Sequence, residues 1–275
     1  MNYRHSYHAG NFADVLKHAI FVVLLQAMQR KETPFCVLDT HAGIGMYSLQ
    51  SEAAQKKQEY ENGIAKLYEQ ALTRKNGALS DYLAYVKALN TNDALEYYPG
   101  SPAIAHHFLR EQDQLILCEL HPDDNATLKH YFYENGNHKS VAVHHTDAYL
   151  AMKAFLPPKQ KRGLVLIDPP FEVTNEFEQM SDAIKRTLKH WRGGNMMIWY
   201  PIKNMAAVNT FYREIKTLDA ENMMIEFALQ SGVEAGKLSA CGIVLINPPW
   251  QVREMLTDDV LPVLASALDA KWQIK

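Results

Sequence analysis

The sequence predicts an α/β domain of the doubly wound kind, a mainly parallel sheet with helices on both faces. Three features predict it. Seven short β-rich runs recur along the 275 residues. Most are continuously apolar rather than alternating, as expected of strands buried on both faces. Segments of helical pattern lie between them, so strand and helix alternate.

The elements follow in order. NFADVLKHAIFVVLLQAMQRK has helical character: Asn11 is placed as the N-cap, Asp14 follows in the first turn, and Arg30 and Lys31 close the end. The strands are FCVLDT (35–40), QLILCEL (114–120), SVAVHHT (140–146), GLVLID (163–168), NMMIWYP (195–201), NMMIEFAL (222–229) and GIVLIN (242–247). Helices such as NEFEQMSDAIKRTLKHW and NMAAVNTFYREIKTLD connect them. Only QSGVEAGKLSAC separates the last two strands. A gap without a helix cannot make a right-handed parallel crossover, so these two should form an antiparallel hairpin. The interval 41–113 is far longer than the roughly 30 residues that a strand-helix-strand unit needs. SEAAQKKQEYENGIAKLYEQAL and GALSDYLAYVKALN within it are helical in pattern, so residues 46–100 are read as a small helical insertion on a domain made of 1–45 and 101–275.

Composition narrows the class. Hydrophobic residues at 47% and charged residues at 21% are ordinary globular values, and the length suffices for one large domain or one domain with an insertion. A net charge of -3 means that any nucleic-acid partner must meet a local basic patch. Charge therefore neither supports nor excludes RNA. Cys36, Cys118 and Cys241 sit in or beside strand-like runs, with no two at metal-ligand spacing. They read as buried reduced thiols, and no metal is expected. The apolar stretch Ala19 to Leu25 is too short to cross a bilayer and has no small-residue cleavage site. A cytoplasmic monomer without a membrane partner is expected.

Four strand ends carry chemistry. VLDTHAGIGMYS runs from a strand ending in Asp39 into Thr40, His41, Ala42, Gly43, Ile44 and Gly45. Its glycines admit a ligand close to backbone, and Asp39 can fix the turn or meet a positive cofactor. A turn with no ligand has the same pattern, and His41 stands where the dinucleotide pattern needs its first glycine. Glu119 ends the second strand, where nucleoside-binding folds place an acid that accepts bonds from ribose hydroxyls; a solvated acid is the rival. Asp147 follows the third strand, placed to accept an adenine amino group or to cap the next helix. Asp168 opens DPPF at the end of the fourth.

That last motif suits methylation of a planar amine. An exocyclic amine on an aromatic ring is a poor nucleophile because its lone pair is delocalised. The Asp168 carboxylate accepting one N-H, and the Pro169 carbonyl the other, would draw the nitrogen toward tetrahedral geometry and aim its lone pair at a methyl sulfonium. Phe171 then offers a face for stacking, worth on the order of 1 to 3 kcal/mol. A second copy, NPPW, closes the last strand from Asn247 to Trp250. If that strand runs antiparallel, this copy emerges at the opposite rim, roughly 17 to 20 Å away. It reads as a structural terminator, with Trp250 packing beneath the sheet. At the N-terminus, Tyr3, Arg4 and Lys17 fit stacking and phosphate contacts with nucleic acid, with a solvated terminus as the alternative. Ser101 before Pro102 reads as a helix cap whose backbone can approach a cofactor.

Together YRHSYHAGNFADVLKH, LDTHAGIG, YYPGSP, ELHP, LIDPPF and INPPW closely resemble the bacterial large-subunit ribosomal RNA adenine-N6 methyltransferases of the RlmJ type, over nearly the whole chain. The resemblance implies a class I methyltransferase fold, Rossmann-like, with a seven-stranded mostly parallel sheet whose last strand is antiparallel. It implies S-adenosylmethionine as cofactor and N6-methyladenine in 23S rRNA as product, made on RNA that is protein-free or partly assembled. By matching motif, Asp168 would be the proton acceptor. His18, His41, Ser101, Glu119 and Asp147 would line the cofactor site with Gly43 and Asp168, Ala148 would contribute backbone, and Tyr3 would contact RNA. The family usually has tyrosine where this chain has Phe171, which keeps stacking and loses the phenol hydroxyl. Other readings of the motifs are methylation of DNA adenine or of a protein glutamine, or a non-catalytic RNA-binding or assembly protein on the same fold.

Overall fold

The structure, a computed structural model, describes residues 4–68, 77–91, 94–134, 140–231 and 237–275. Helix α1 (Phe12–Gln29) begins where the Asn11 side chain accepts the backbone N-H groups of Ala13 and Asp14, two of the orphan donors of its first turn. Strand β1 (Cys36–Asp39) leads into β2 (Met46–Ser48), helices α2 (Glu52–Lys57), α3 (Ile64–Tyr68) and α4 (Ala78–Ala88), and β3 (Tyr97–Pro99). Then α5 (Ser101–Phe108), β4 (Gln114–Glu119), α6 (Pro122–Tyr133), β5 (Val141–His145), α7 (Ala148–Phe155) and β6 (Gly163–Ile167) alternate. They are followed by α8 (Glu176–His190), β7 (Asn195–Pro201), α9 (Met205–Lys216), β8 (Asn222–Leu229) and β9 (Ala240–Ile246). Helices α10 (Val252–Met255) and α11 (Leu261–Leu268) and strand β10 (Ala270–Ile274) complete the chain.

The main sheet has the order β10-β8-β9-β7-β6-β1-β4-β5. β1 pairs in parallel with both β4 and β6, β4 with β5, and β6 with β7. β9 lies antiparallel between β7 and β8, the expected hairpin. Having run from β1 outward to β5, the chain returns to the other side of β1 at β6. Their carboxyl ends therefore flank the switch point where open α/β sheets bind ligands.

Two features differ from the expected architecture. β10 adds an eighth strand, antiparallel to β8. Its AKWQI alternates between buried and exposed because it lies at an edge, so a search for continuous apolar runs passes over it. The 46–100 segment also contains the antiparallel pair β2-β3, in a sheet of its own.

Side chains alternate across the central strands, as period two requires. Val37, Leu164 and Leu166 face one apolar cluster, and Cys36, Leu38, Val165 and Ile167 the other. The first cluster is organised by α1, which is largely apolar and 89% buried. By length and composition α1 is also long enough to cross a membrane. Here its surface is enclosed by protein, including Ile64, Leu79, Tyr82 and Tyr98 of the 46–100 segment, which share its core. All three cysteines are buried reduced thiols, and desolvation pushes each up to about 12.

Strand direction separates the two Pro-Pro motifs. Asp168 follows β6, whereas Asn247 follows antiparallel β9 and emerges at the other rim. Asn247 has φ +49° and donates through Nδ2 to the carbonyls of Arg192 (2.8 Å) and Gly194 (3.0 Å). Trp250 does not pack beneath the sheet: it is 79% exposed. The turn carries the indole outward, and Val252 is the residue that the fold buries there. Asn247→Ala should therefore cost about 1–3 kcal/mol, from two stranded carbonyls and a left-handed backbone that alanine disfavours. Trp250→Ala should stay within about 0.5 kcal/mol. Denaturant midpoints at constant slope would check both.

Candidate active site

The carboxyl ends of β1, β4, β5 and β6 open into a cleft of about 650 Å³. His18, His41, Gly43, Ser101 and Glu119 line it, and so do Asp147, Ala148, Asp168, Pro169 and Phe171. Residues spread over most of the sequence thus meet at one place, because parallel strands deliver their ends to the same rim.

The N-terminal motif enters the cleft through a buried lysine. Lys17 is 4% exposed, and its Nζ donates to Asp14 Oδ1 (2.8 Å) and to Asp168 Oδ2. Asp14 Oδ2 accepts in turn from the Gly10 N-H (3.0 Å) and lies 2.8 Å from His5 Nε2. Burial alone would raise the Asp14 carboxyl. The charges of His5 and Lys17 override it and hold Asp14 well below the usual range. Burial likewise disfavours the Lys17 cation, but Asp14 and Asp168 hold it well above its ordinary value. One buried cation between two acids leaves no bare charge in the interior. Lys17, expected as a phosphate contact, is buried at the wall of the cleft, with its ammonium bonded to Asp14 and Asp168.

The β1 turn is held from within. Asp39, fully buried, accepts from Ser101 Oγ (2.6 Å) and the His41 N-H (3.2 Å), so it fixes the turn and does not line the cleft. Burial raises its carboxyl to about 7 despite these bonds. Ser101 is not a cap: Gly100 holds that position, and the hydroxyl turns inward to Asp39. Gly43 has φ +63°, and a Cβ there would lie 2.2 Å from the Tyr47 hydroxyl. Glycine is needed for the turn and for Tyr47 as much as for any ligand. His41 Nδ1 meets Thr40 Oγ1 at 2.9 Å, and burial lowers the ring to about 4, so it is neutral at pH 7.

Glu119 accepts the N-H of Gly43 (2.8 Å) at one oxygen and that of His121 (2.7 Å) at the other. Burial raises its carboxyl. Two backbone donors orient it and leave lone pairs toward the cleft. Leu120 beside it is 50% exposed and forms an apolar wall. Asp147 caps α7, its Oδ1 accepting from Tyr149 (2.9 Å) and Leu150 (3.0 Å), while the residue also lines the cleft. Cap and ligand-facing acid are thus compatible readings. His18 is buried; its Nδ1 meets the Tyr98 hydroxyl at 2.7 Å, and its Nε2 is buried with no partner among the described residues. Desolvation first, then the Lys17 charge, lowers this ring well below its usual range.

In the loop after β6, Phe171 has φ +51° and meets Phe177 (4.9 Å between centroids) and Trp199 (6.1 Å) edge-on. Trp199, Tyr149 and Glu176 also line the cleft, and none of them is marked by a motif. Tyr3 lies outside the described residues. Arg4 is held by Asp124 (2.9 Å) and Asp123 (3.1 Å) on α6. Among the described residues no group of three or more His, Cys, Asp or Glu is placed to hold a metal ion.

Asp39 provides a pH test. Its folded value is raised above that of an unfolded aspartate, near 3.8, so the folded state holds an extra proton between about 4 and 7. Stability should fall through that window as pH rises, by on the order of 1 kcal/mol per pH unit, and level off above it. Asp39→Asn keeps the acceptor and removes the titration. Its stability relative to the parent should grow from pH 4.5 to 7 in denaturant titrations.

A family model described as "Ribosomal RNA large subunit methyltransferase D, RlmJ" matches residues 32–274. Ribosomal RNA large subunit methyltransferase J of Escherichia coli (strain K12) is 38% identical over 269 residues, which is 98% of this chain and 94% of that protein. The protein of the same name from Haemophilus influenzae is 37% identical over 270 residues, with the same coverage. The crystal structure of protein LPL1258 from Legionella pneumophila has a TM-score of 0.88 at 34% identity, covering 98% of each chain. Matched by the family model over residues 32–274 and by two relatives over 98% of its length, this chain belongs to the RlmJ family of ribosomal RNA large subunit methyltransferases.

Proposed function

We propose that this enzyme methylates N6 of an adenine in 23S rRNA, in the cytoplasm, on RNA that is protein-free or partly assembled, with S-adenosylmethionine as donor. The observation that carries the reading is Asp168. It stands at the end of β6 lining the cleft, with one carboxylate oxygen held by buried Lys17 and with Pro169, the next residue, lining the same cleft.

The residues present fit the donor. The unpartnered buried Nε2 of neutral His18, the oriented Glu119 carboxylate, apolar Leu120 and capping Asp147 together form a polar-lined slot suited to a nucleoside with a charged tail. When bound, S-adenosylmethionine supplies an electrophilic methyl group. Glu119 would accept the ribose hydroxyls, and Asp147 with the Ala148 backbone would read the adenine edge.

The chain's own groups act on the target base. Phe171 and Trp199 offer apolar faces near the Pro-Pro turn for an adenine rotated out of its stack, offsetting part of the few kcal/mol of unstacking. Lys17 occupies Asp168 Oδ2, which leaves Oδ1 to accept one N6-H while the Pro169 carbonyl accepts the other. Both acceptors are fixed before the base arrives, so geometry supplies the acceleration. As N6 gains its bond to the methyl carbon, the carbon–sulfur bond would break to leave S-adenosylhomocysteine, and Asp168 would receive the proton that N6 sheds.

Incubation with radiolabelled donor and undermodified, protein-free 23S rRNA should place label in N6-methyladenine. Asp168→Ala should lower transfer at least about 100-fold, with RNA affinity within about threefold. Label in DNA or in glutamine, with none in RNA, would redirect the reading; no transfer at all would overturn it.

A further inference from the structure

The cleft has two walls from different parts of the chain. One is the start of α7, immediately after Asp147. The other is the loop from Asp168 to the start of α8, which carries Phe171. The Tyr149 hydroxyl donates to Glu176 Oε1 at 2.5 Å, joining the two. The neighbouring Phe177 meets Phe171 edge-on. The Tyr149 ring also meets His41 of the β1 turn edge-on, at 6.4 Å between centroids.

Backbone strain and burial both give that bond weight. Phe171 adopts a left-handed backbone, which a residue with a side chain disfavours and which persists only where the surroundings impose it. Glu176 is 7% exposed, and a buried carboxylate needs a donor; among the described residues that donor is Tyr149. Glu176 is also the first residue of α8, where the helix N-terminus favours an acid. Tyr149 and Glu176 therefore hold the start of α8, and with it the loop behind Asp168, against the segment containing Asp147 and Ala148.

Resting on the function proposed above, we infer that Tyr149 and Glu176 are positioning residues. Their hydrogen bond sets the donor-side wall and the loop carrying Asp168 and Phe171 in one geometry. Neither needs to touch the reacting atoms. The bond fixes the distance between what they hold.

The test uses the full chain with Tyr149→Phe, Glu176→Ala, Glu176→Gln and the double variant Tyr149→Phe/Glu176→Ala. Calorimetry measures affinity for S-adenosylhomocysteine, and steady-state transfer gives kcat and both KM values. Tyr149→Phe and Glu176→Ala should each weaken binding about fivefold and lower kcat roughly tenfold, with the RNA KM within about twofold. A glutamine amide still accepts from the phenol, so Glu176→Gln should remain within about threefold of the parent throughout. The double variant should be no worse than the poorer single one, because both remove the same bond. Parental values for Tyr149→Phe would overturn the inference, as would additive losses in the double variant. If the parent binds S-adenosylhomocysteine but methylates no RNA, the proposed function fails, and the binding series still decides the inference. A parent that does not bind it overturns both.

Discussion

The Lys17 ammonium joins the N-terminal helix to the carboxyl end of β6. It arises in the second turn of a largely apolar helix, and it reaches across to the end of β6. A lysine buried in that helix would be intolerable alone, and the pair of acids at 14 and 168 makes it tolerable. The converse also holds: Asp168 lines the cleft with one carboxylate oxygen held by a buried cation. Docking of the N-terminal helix and the orientation of Asp168 are therefore coupled through one hydrogen bond. His5, Gly10 and the Asn11 cap extend the same network back along the chain.

Around that anchor the parallel strands do the gathering. β1, β4, β5 and β6 each end beside residues that line or brace the cleft, and their shared direction brings all four to one rim. The same logic rejects the second Pro-Pro motif, since β9 runs the other way and delivers Asn247 to a place where it closes a turn. Two nearly identical peptides thus have different work because of the direction of the strand that precedes them. Acid against amide is secondary.

Much of this was legible in the sequence for physical reasons. Buried parallel strands must be continuously apolar, so their ends, and the acids on them, are visible. Asn11 before an apolar helix can be read as a cap because the first turn needs acceptors. What was hidden depends on distant partners. Lys17 reads as a surface cation until Asp168, 151 residues away, is beside it; the signal available was a lysine three residues from an aspartate in an apolar helix. Ser101 reads as a cap because serine before proline commonly is one, and only the fold reveals Asp39 behind it. β10 escaped because an edge strand alternates, and Trp250 because a large apolar residue after a strand is expected to be inside. Tyr149 and Glu176 carry no motif, and only packing brings them together.

The central claim is that buried Lys17 orients Asp168 for transfer. Single-turnover methylation of 23S rRNA fragments by Lys17→Met, with S-adenosylhomocysteine affinity measured on the same sample, tests it most directly. The account predicts transfer slowed by at least about 100-fold with affinity within about fivefold, since the change removes an interaction that acts on the transition state. Transfer at the parental rate in a folded Lys17→Met protein would contradict it.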